Sequence, residues 1–526
     1  MKKSIILLLM AAVAFSSCEK FLDSKPVDFL DPDSYYTNRA NLDAGLMGVY
    51  TVLSSTGSNS GTGSGYSIYG GENMPYRLTI SDLEYYAGYP TVNTALAIFD
   101  FTSADGSVDY YWRALYNGIL RANAFIEAVE PAQLYEVGDQ YKTAALGEAY
   151  ALRGFYYWHL AANFGGVPLR TTYDVYPHKK RATLRETYEQ VLRDLKKAEG
   201  MVYQTGAFNH TGRITQNTVQ ALLARVYLYM AGEPLKDRSL YGEAAEWARK
   251  VKESGMHTLN PSYENLFTRM IRNQYDLDYR ESMWEAEFEL PDGEMATSGG
   301  WGNVNGILCR DESIGYASPQ ILVSRLLENW YMEEPGDKRY DWSVAKYTWG
   351  KESTGVKSNQ NLEVRYCGKY RKDVFSGPKD KNLTGTNFPI MRYADVLLML
   401  AEAVNEMDGP TDEAIDALNE VRRRAGVKEC ANHADDPHLV ALTTKEEFRE
   451  FIKRERALEL CFEATRRLDL IRWGHLAESV KYMSSVATSE YAWRASAYIS
   501  SPKHNLLPIP ASEMNNNNLA EQNPGW

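Results

Sequence analysis

Three glutamates, Glu455, Glu459 and Glu463, recur at every fourth position near the end of the chain, a spacing that places them on one face of a helix. Such carboxylates could carry out general acid and base catalysis. They could also form a structural network with the nearby arginines, because guanidinium groups bind carboxylates in a bidentate fashion. Guanidinium neighbours lower the pKa of a carboxyl group, whereas a general acid needs a raised pKa. We therefore predict no catalytic residues here, but a structural network of Arg392, Glu455, Glu459, Glu463, Arg466 and Arg472.

A second group of candidates consists of aromatic and polar side chains in loop-like segments. Three tyrosines and an aspartate fall within residues 81–89, and Trp301 is flanked by glycines on both sides. The apolar face of a sugar ring packs on an aromatic plane, and its hydroxyl groups need polar partners. The alternative is that these aromatics only pack the loops onto the rest of the fold. The predicted ligand-binding residues are Tyr69, Asp82, Tyr85, Tyr86, Tyr89, Trp301, Asn303, Asn305, Arg310 and Tyr316.

Other kinds of chemistry have weaker support. The chain contains no HExxH, GxSxG or P-loop motif. Cys430, His433 and His438 have the side chains of metal ligands, but their spacing matches no zinc pattern, and no EF-hand spacing for calcium is present. We therefore predict no metal site and no cofactor. The pairing state of Cys309, Cys367, Cys430 and Cys461 does not follow from the sequence, although Cys461 lies on an apolar helical face that favours a buried free thiol.

The composition limits the class of protein. The chain has 526 residues, 44% of them hydrophobic, which is enough for a large core. The net charge of −12 argues against nucleic acid as the main partner, because no excess of basic residues is available for phosphate contacts. The 37 tyrosines and 11 tryptophans are the unusual feature. Aromatic residues at this frequency either fill helix interfaces or form a binding surface.

The first residues predict export and anchoring. Two lysines precede an apolar run from Ile5 to Phe15, as in a secretory signal peptide, and the run is too short to span a membrane. The small residues directly before Cys18 resemble a bacterial lipobox, which implies cleavage at that point and lipidation of the Cys18 thiol. We therefore predict a signal peptide over 1–17, a lipidated tether over 18–33 and a single domain over 34–526.

The remainder is predicted to be mostly helical. Thr183 and Glu186 form a capping box, apolar residues follow at helical spacing, and Gly200 ends the segment. Similar pairs of helices, with small residues where they must approach closely, resemble tetratricopeptide repeats over about 110–255 and 388–480. Two long insertions, at about 51–110 and 257–385, interrupt the pattern. Long loops in a compact protein are usually functional, so we assign the ligand surface to these insertions.

Several motifs resemble the SusD/RagB family, in an order that spans the mature chain. They are Tyr111-Trp112, Arg121–Asn123, Phe388–Ala403, Leu418–Gly426, Glu455–Glu463, Leu507–Pro510 and Gln522–Trp526. The resemblance implies a lipid-anchored protein on the cell surface, in the outer membrane of Bacteroidetes. It also implies that the protein is not an enzyme, that it binds oligosaccharides or polysaccharides, and that it acts as the lid of a partner TonB-dependent transporter of the SusC type.

Two other functions stay open on the sequence. Some members of the family bind peptides, so a peptide ligand is an alternative to a glycan. A glycoside hydrolase that uses paired carboxylates is a second alternative, because acidic residues are plentiful. The sequence identifies neither the particular ligand nor the face that would contact a transporter.

Overall fold

The computed structural model of the protein describes residues 35–54, 67–70, 78, 80–88, 92–132, 138–173, 178–288, 299–350, 357–359, 364–377, 379, 384–487, 489 and 491–526. The predicted signal peptide, the tether, Cys18 and Tyr89 lie outside these residues. Among the described residues, no helix has the length and the apolar character that a membrane-spanning segment requires.

The first half of the fold is a series of helices in which neighbours along the chain pack against each other. Small residues permit their close approach: a Cβ atom added at Gly118 would lie 2.5 Å from the ring of Tyr156. This part of the fold contains α1 (Arg39–Ser54), α2 (Gly106–Val129), α3 (Asp139–Phe164), α4 (Leu184–Glu199), α5 (Gln216–Ala231) and α6 (Tyr241–Glu253).

The ends of these helices follow local side-chain chemistry. The capping box at Thr183 and Glu186 is confirmed, and Gly200 is the C-cap of α4. Helix α5 begins earlier than its sequence pattern indicates: its N-cap is Thr215, and Asn217 is a buried residue inside the helix. Helix α5 is buried on all sides because other elements pack around it, so periodicity alone does not mark its start.

The second half adds helices that pack against the first half. Its central helix, α10, contacts α6, α11 and α12, which joins the two halves around one continuous apolar core. The helices of this half are α7 (Tyr263–Ile271), α8 (Arg325–Met332), α9 (Tyr340–Ser343), α10 (Tyr393–Asp408), α11 (Asp412–Ala425), α12 (Lys445–Leu460), α13 (Arg466–Arg472), α14 (Leu476–Val486), α15 (Trp493–Tyr498) and α16 (Ala511–Asn516). The fold is therefore mostly α-helical, as predicted.

Short strands hold the insertions on this scaffold. Strands β1, β3, β7 and β4 form a four-stranded sheet in the order β1-β3-β7-β4, and β2 pairs with β8, β5 with β6 and β9 with β10. The bounds are β1 (Glu84–Tyr86), β2 (Ser282–Ala286), β3 (Ile321–Val323), β4 (Val344–Ala345), β5 (Tyr347–Trp349), β6 (Lys357–Asn359), β7 (Tyr366–Cys367), β8 (Phe388–Arg392), β9 (Cys430–Ala431) and β10 (Val440–Ala441).

Strand β8 corrects one expectation from the sequence. The apolar run after Phe388 suggests a helix that starts at Ile390, but Ile390 lies in β8 and the helix begins at Tyr393. Strand β8 pairs antiparallel with β2, and both strands are buried along their whole length. This pairing attaches the second insertion directly to the start of α10.

Candidate functional site

The two insertions meet in one small sheet. Strand β1, from the first insertion, pairs antiparallel with β3, from the second, and Tyr85 lies opposite Leu322. A hydrogen bond forms a second link between the insertions: the indole nitrogen of Trp301 donates to the carbonyl oxygen of Tyr69 at 3.1 Å. Segments more than 200 residues apart along the chain therefore build a common surface, and the predicted ligand-binding residues that the structure describes lie in these segments.

The rings of Trp301 and Tyr69 lie inside the core. Trp301 is 1% exposed and stacks on Phe388, with the ring centroids 4.1 Å apart. Tyr69 stacks on the same phenylalanine at 5.1 Å. Neither ring presents an open face that a sugar could cover. In this structure both rings pack the insertions against β8, the alternative that the sequence left open.

Three more candidates are buried around β1. Tyr85 and Tyr86 are each 3% exposed, and the hydroxyl of Tyr86 donates a hydrogen bond to Gln320 at 3.3 Å. Both carboxylate oxygens of Asp82 accept hydrogen bonds of 2.8 Å from Arg466. Asp82 is therefore the partner of a buried guanidinium.

The two asparagines shape the loop around Trp301. The side-chain oxygen of Asn305 accepts a hydrogen bond from the backbone N–H of Gly302 at 2.9 Å, and that of Asn303 accepts one from Ser318 at the same distance. Gly302 has a φ of 83°, and a Cβ atom there would lie 2.3 Å from the carbonyl oxygen of Tyr370. Only glycine fits this turn, which the two amides hold closed.

Arg310 and Tyr316 are the predicted ligand-binding residues that reach solvent in the described part of the chain. Arg310 is exposed, Tyr316 is half-buried, and the Arg310 guanidinium donates a hydrogen bond of 3.4 Å to the Tyr316 hydroxyl. The guanidinium carbon lies 5.7 Å from the centroid of the Tyr316 ring. The pair combines an aromatic plane with a charged hydrogen-bond donor, which are the two elements expected of a sugar contact.

Other residues extend this pair into a surface that the sequence reading missed. The backbone N–H of Arg310 donates to the carbonyl oxygen of Trp349 in β5 at 3.2 Å, and Tyr366 in β7 is close enough for Arg310 to influence its pKa. Burial raises the pKa of Tyr366. The neighbouring Tyr85 adds to this rise, and Arg310 opposes it. The alternation of aromatics at Tyr347 and Trp349 was the available signal for β5. We call the set Arg310, Tyr316, Gln320, Trp349 and Tyr366 the sheet-edge surface; apart from the exposed Arg310, its members are half-buried.

The arginine and glutamate side chains near the end of the chain form a dense buried network. Arg392 donates hydrogen bonds to Glu463 at 2.7 Å, to Glu459 at 3.0 Å and to a third carboxylate, Glu281, at 2.7 Å. Glu455 accepts hydrogen bonds from Arg339 at 2.6 Å and from Arg422 at 2.7 Å. These side chains are almost completely buried, and they join α11 and α12 to β8, to the residue before β2 and to the segment before α9.

Within this network, the electrostatics of Glu455 and Glu459 are unsuited to acid catalysis. Burial alone would raise the pKa of Glu459, but Arg424, Arg392 and Arg339 outweigh burial and lower the pKa to about 2. For Glu455, Arg339 and Arg422 likewise outweigh burial and lower the pKa. Carboxyl groups that stay ionised in this way cannot donate a proton near neutral pH.

The network differs from the predicted one in two respects. Glu463 does not share the helix face of Glu455 and Glu459, because α12 ends at Leu460 and the chain turns through Phe462 at a φ of 66°. Arg466 and Arg472 bind other carboxylates: Arg466 binds Asp82, whereas Arg472 binds the pair Asp469 and Glu402. These two arginines therefore tie α13 to β1 and to α10, outside the glutamate cluster.

Two carboxyl groups elsewhere have raised pKa values. Burial raises the pKa of Glu84 to about 8 and that of Glu285 to about 7, and hydrogen bonds from Ser81 and Ser282 oppose the rise only in part. Both side chains are enclosed, with exposed fractions of 2% and 3%. A carboxyl group that no substrate can reach has no catalytic use, so we interpret both as structural.

The cysteines and histidines do not form a metal site in the part of the chain that the structure describes. No group of three or more His, Cys, Asp or Glu side chains there could hold a metal ion. Cys309, Cys367, Cys430 and Cys461 are buried free thiols, which confirms the expectation for Cys461. Cys430 is buried in β9, whereas His433 and His438 are exposed in the following loop.

Comparison with known proteins agrees with the fold and the motifs. Residues 291–526 match the model of the SusD family, and residues 20–228 match a family described as "Starch-binding associating with outer membrane". SusD-like protein P2 of Formosa agariphila is 26% identical over the full length of both chains. The starch-binding protein SusD of Bacteroides thetaiotaomicron is 25% identical over 71% of each chain.

The fold has a close match among solved structures. A crystal structure of a SusD homologue from Bacteroides thetaiotaomicron superimposes with a TM-score of 0.83. It is 26% identical in sequence, and the match covers 94% of this chain and 98% of the other. With two family models that match both ends of the chain and relatives that match its whole length, this protein belongs to the SusD family.

Proposed function

We propose that the protein captures oligosaccharides or polysaccharides at the cell surface without altering them chemically. The observation that carries this proposal is the sheet-edge surface, where the exposed Arg310 and the half-buried Tyr316 stand beside each other at the junction of the two insertions. The starch-binding relative supports a glycan as the ligand class. The buried, ionised carboxylates of the arginine network support binding rather than hydrolysis.

The sheet-edge surface has the chemistry that glycan recognition requires. The ring of Tyr316 offers an apolar plane for the C–H face of a sugar, and Arg310 and Gln320 offer polar groups for its hydroxyls. The surface is formed by several half-buried aromatics, which suits an extended chain of sugars better than one small molecule. Because stacking tolerates many sugars, the surface alone does not select one glycan.

The wider role in this proposal is delivery to a transporter. The protein would be anchored in the outer membrane by a lipid on Cys18, face the cell exterior, and act as the lid of a SusC-like TonB-dependent transporter. The matching family described as associating with the outer membrane supports this location, and the lipobox-like residues before Cys18 support the anchor.

Isothermal titration against a panel of polysaccharides tests the binding function. With a glycan that binds, Tyr316→Ala and Arg310→Ala should each weaken the affinity at least about fivefold, the change expected for contacts worth about 1 kcal/mol. Tyr173→Ala and Arg193→Ala are matched controls, because both side chains are exposed on the helical scaffold away from the insertions. Unchanged affinity in both Arg310 and Tyr316 variants would contradict the proposed surface.

The same samples separate the alternatives. Release of shorter sugars during incubation would show a glycoside hydrolase and contradict simple capture. Binding of peptide mixtures without binding of any glycan would favour the peptide alternative.

Isolation of the full-length lipidated protein from membranes tests the transporter partner. Recovery of a TonB-dependent transporter in stoichiometric amount supports the lid role, and its absence after gentle extraction contradicts that role.

A further inference from the structure

A small, partly open cavity lies between the first insertion and the helical scaffold. Its volume is about 50 Å³, which is enough for a small ion or a few waters and too small for a sugar ring. Its walls come from α2, α3, α5, β8 and the start of α13, together with Tyr69 of the first insertion. The polar residues that line it include Tyr69, Tyr111, His159, Arg225, Glu463 and Arg467.

Two of the three charged side chains at the cavity have partners of opposite charge. Arg225 donates a hydrogen bond to Asp395 at 2.7 Å. Glu463 accepts hydrogen bonds from Lys369 and Arg392. His159 adds no charge, because burial and, to a smaller extent, the nearby Arg225 lower its pKa to about 3.

Arg467 is the exception. Its side chain is 3% exposed, and burial lowers its pKa only to about 10, so the guanidinium stays protonated at neutral pH. It donates one hydrogen bond of 3.1 Å to the carbonyl oxygen of His504 and one long hydrogen bond of 3.4 Å to Asn163. Within the described residues, no carboxylate lies within ion-pair distance of it, and its Nε–H has no acceptor.

Other buried arginines in this protein are compensated. Arg392, Arg456 and Arg472 each contact at least two carboxylates. Arg371 contacts no carboxylate among the described residues, but three backbone carbonyl groups accept its hydrogen bonds. An isolated buried charge costs several kcal/mol, so native proteins pair such charges. Arg467 has one carbonyl group and one amide in place of these partners, and it lines the partly open cavity.

We propose that the cavity beside Arg467 binds a small monovalent anion, with chloride or a small carboxylate such as formate as the fitting ligands. The anion would accept hydrogen bonds from the guanidinium group of Arg467, which lines the cavity, and neutralise its charge. It would also lie against Tyr69, whose ring stacks on Phe388 and whose carbonyl oxygen binds Trp301. Occupancy would therefore stabilise the attachment of the first insertion to the scaffold.

Crystals grown in sodium bromide test the site directly. The expected result is an anomalous peak inside the cavity, within hydrogen-bond distance of the Arg467 guanidinium. A cavity that is empty or holds only water under these conditions would overturn the proposal.

Thermal unfolding tests the site in solution. At constant ionic strength, chloride or formate should raise the melting temperature relative to gluconate, which is too large for the cavity. A larger effect of formate than of chloride would identify a carboxylate as the preferred ligand. Equal melting temperatures in all three salts would overturn the proposal.

Arg467→Gln should remove the dependence on the anion, whereas Arg193→Gln should keep it. Arg193 is a suitable control because it is exposed and, among the residues that the structure describes, its side chain donates hydrogen bonds only to Gln190 on the same helix. If Arg467→Gln does not fold, the wild-type crystals and the wild-type salt series still decide the question.

Discussion

The Glu459→Ala variant tests most directly whether the buried arginine network stabilises the fold. The Glu459 carboxylate accepts hydrogen bonds from Arg424 at 2.6 Å, Arg392 at 3.0 Å and Arg339 at 3.2 Å, and it is fully buried. Truncation to alanine removes the shared partner of three guanidiniums that have no access to water. The mutation therefore measures how strongly the network holds α12 to α11, to β8 and to the segment before α9.

The pKa of Glu459 sets the expected magnitude. Its shift from 4.5 to about 2 corresponds to about 3 kcal/mol of preference for the ionised carboxylate in the folded state, at about 1.4 kcal/mol per pKa unit. Breaking a buried ion pair by removing one partner typically costs about 3–5 kcal/mol, because the other charges stay buried. We therefore expect Glu459→Ala to lower the free energy of unfolding by about 3–5 kcal/mol at pH 7.

The pH dependence has a definite sign. The folded-state pKa of Glu459 lies below its unfolded value, so its stabilisation is complete above about pH 4.5 and is lost as the pH falls toward 2. The difference in stability between wild type and Glu459→Ala should therefore be constant from pH 5 to 7 and shrink below pH 4.5.

Chemical denaturation monitored by tryptophan fluorescence measures both effects. Glu450→Ala is the matched control, because Glu450 lies on the same helix, is 70% exposed and forms an ion pair with Lys453. That control should cost less than about 1 kcal/mol, as expected for a surface ion pair. A loss of less than about 1 kcal/mol in Glu459→Ala would refute the reasoning, and glycan affinity should be unchanged in the folded fraction.

Two further variants test the core and the buried carboxyl groups. Trp301→Ala should lower the free energy of unfolding by about 3–5 kcal/mol, because it removes a ring that is 1% exposed and stacked on Phe388. A variant that keeps its stability and loses only glycan binding would instead show that Trp301 contacts the ligand. Glu84→Gln should be more stable than wild type by about 3 kcal/mol at pH 7. The pKa of Glu84 is about 8 in the folded state and about 4.5 in the unfolded state, so the stabilising contribution of Glu84 is complete below pH 4.5 and falls as the pH rises toward 8. Glutamine stays neutral, so the variant does not lose this stability. Urea titrations at pH 4.5 and pH 7 should show this gain only at the higher pH, and equal gains at both would contradict the assignment.

The helical scaffold could be predicted because its signals are local. The capping box at Thr183, the stop at Gly200 and the left-handed Gly426 after α11 act within one helical turn. The starts of α5 and α10 could not be located as well. Their N-cap residues are Thr215 and Arg392, and these positions are determined by packing in α5 and by the pairing of β8 with β2 in α10. Local chemistry describes the ends of a helix only where the helix has a solvent-facing side.

The sequence assigns the ligand surface to two insertions, and the structure shows that these insertions contact each other through β1 and β3. The exposure of individual aromatics could not be predicted, because Trp301 is covered by Phe388 and Tyr69, which lie 87 and 232 residues away along the chain. Trp349 and Tyr366 join the surface for the same reason: β5 and β7 bring them there from parts of the chain that carry no local sign of proximity.

The sequence by itself determined the helical architecture, the dense pairing of arginines with glutamates and the resemblance to the SusD family, because these depend on periodicity, residue type and motif order. The tertiary structure decided which charges pair and which rings stay accessible. Arg466 binds Asp82 from the first insertion, and Arg467, its neighbour in the chain, binds no carboxylate in the described structure. Burial and pairing depend on contacts between distant segments, so adjacent arginines of the same type acquire different partners and different roles.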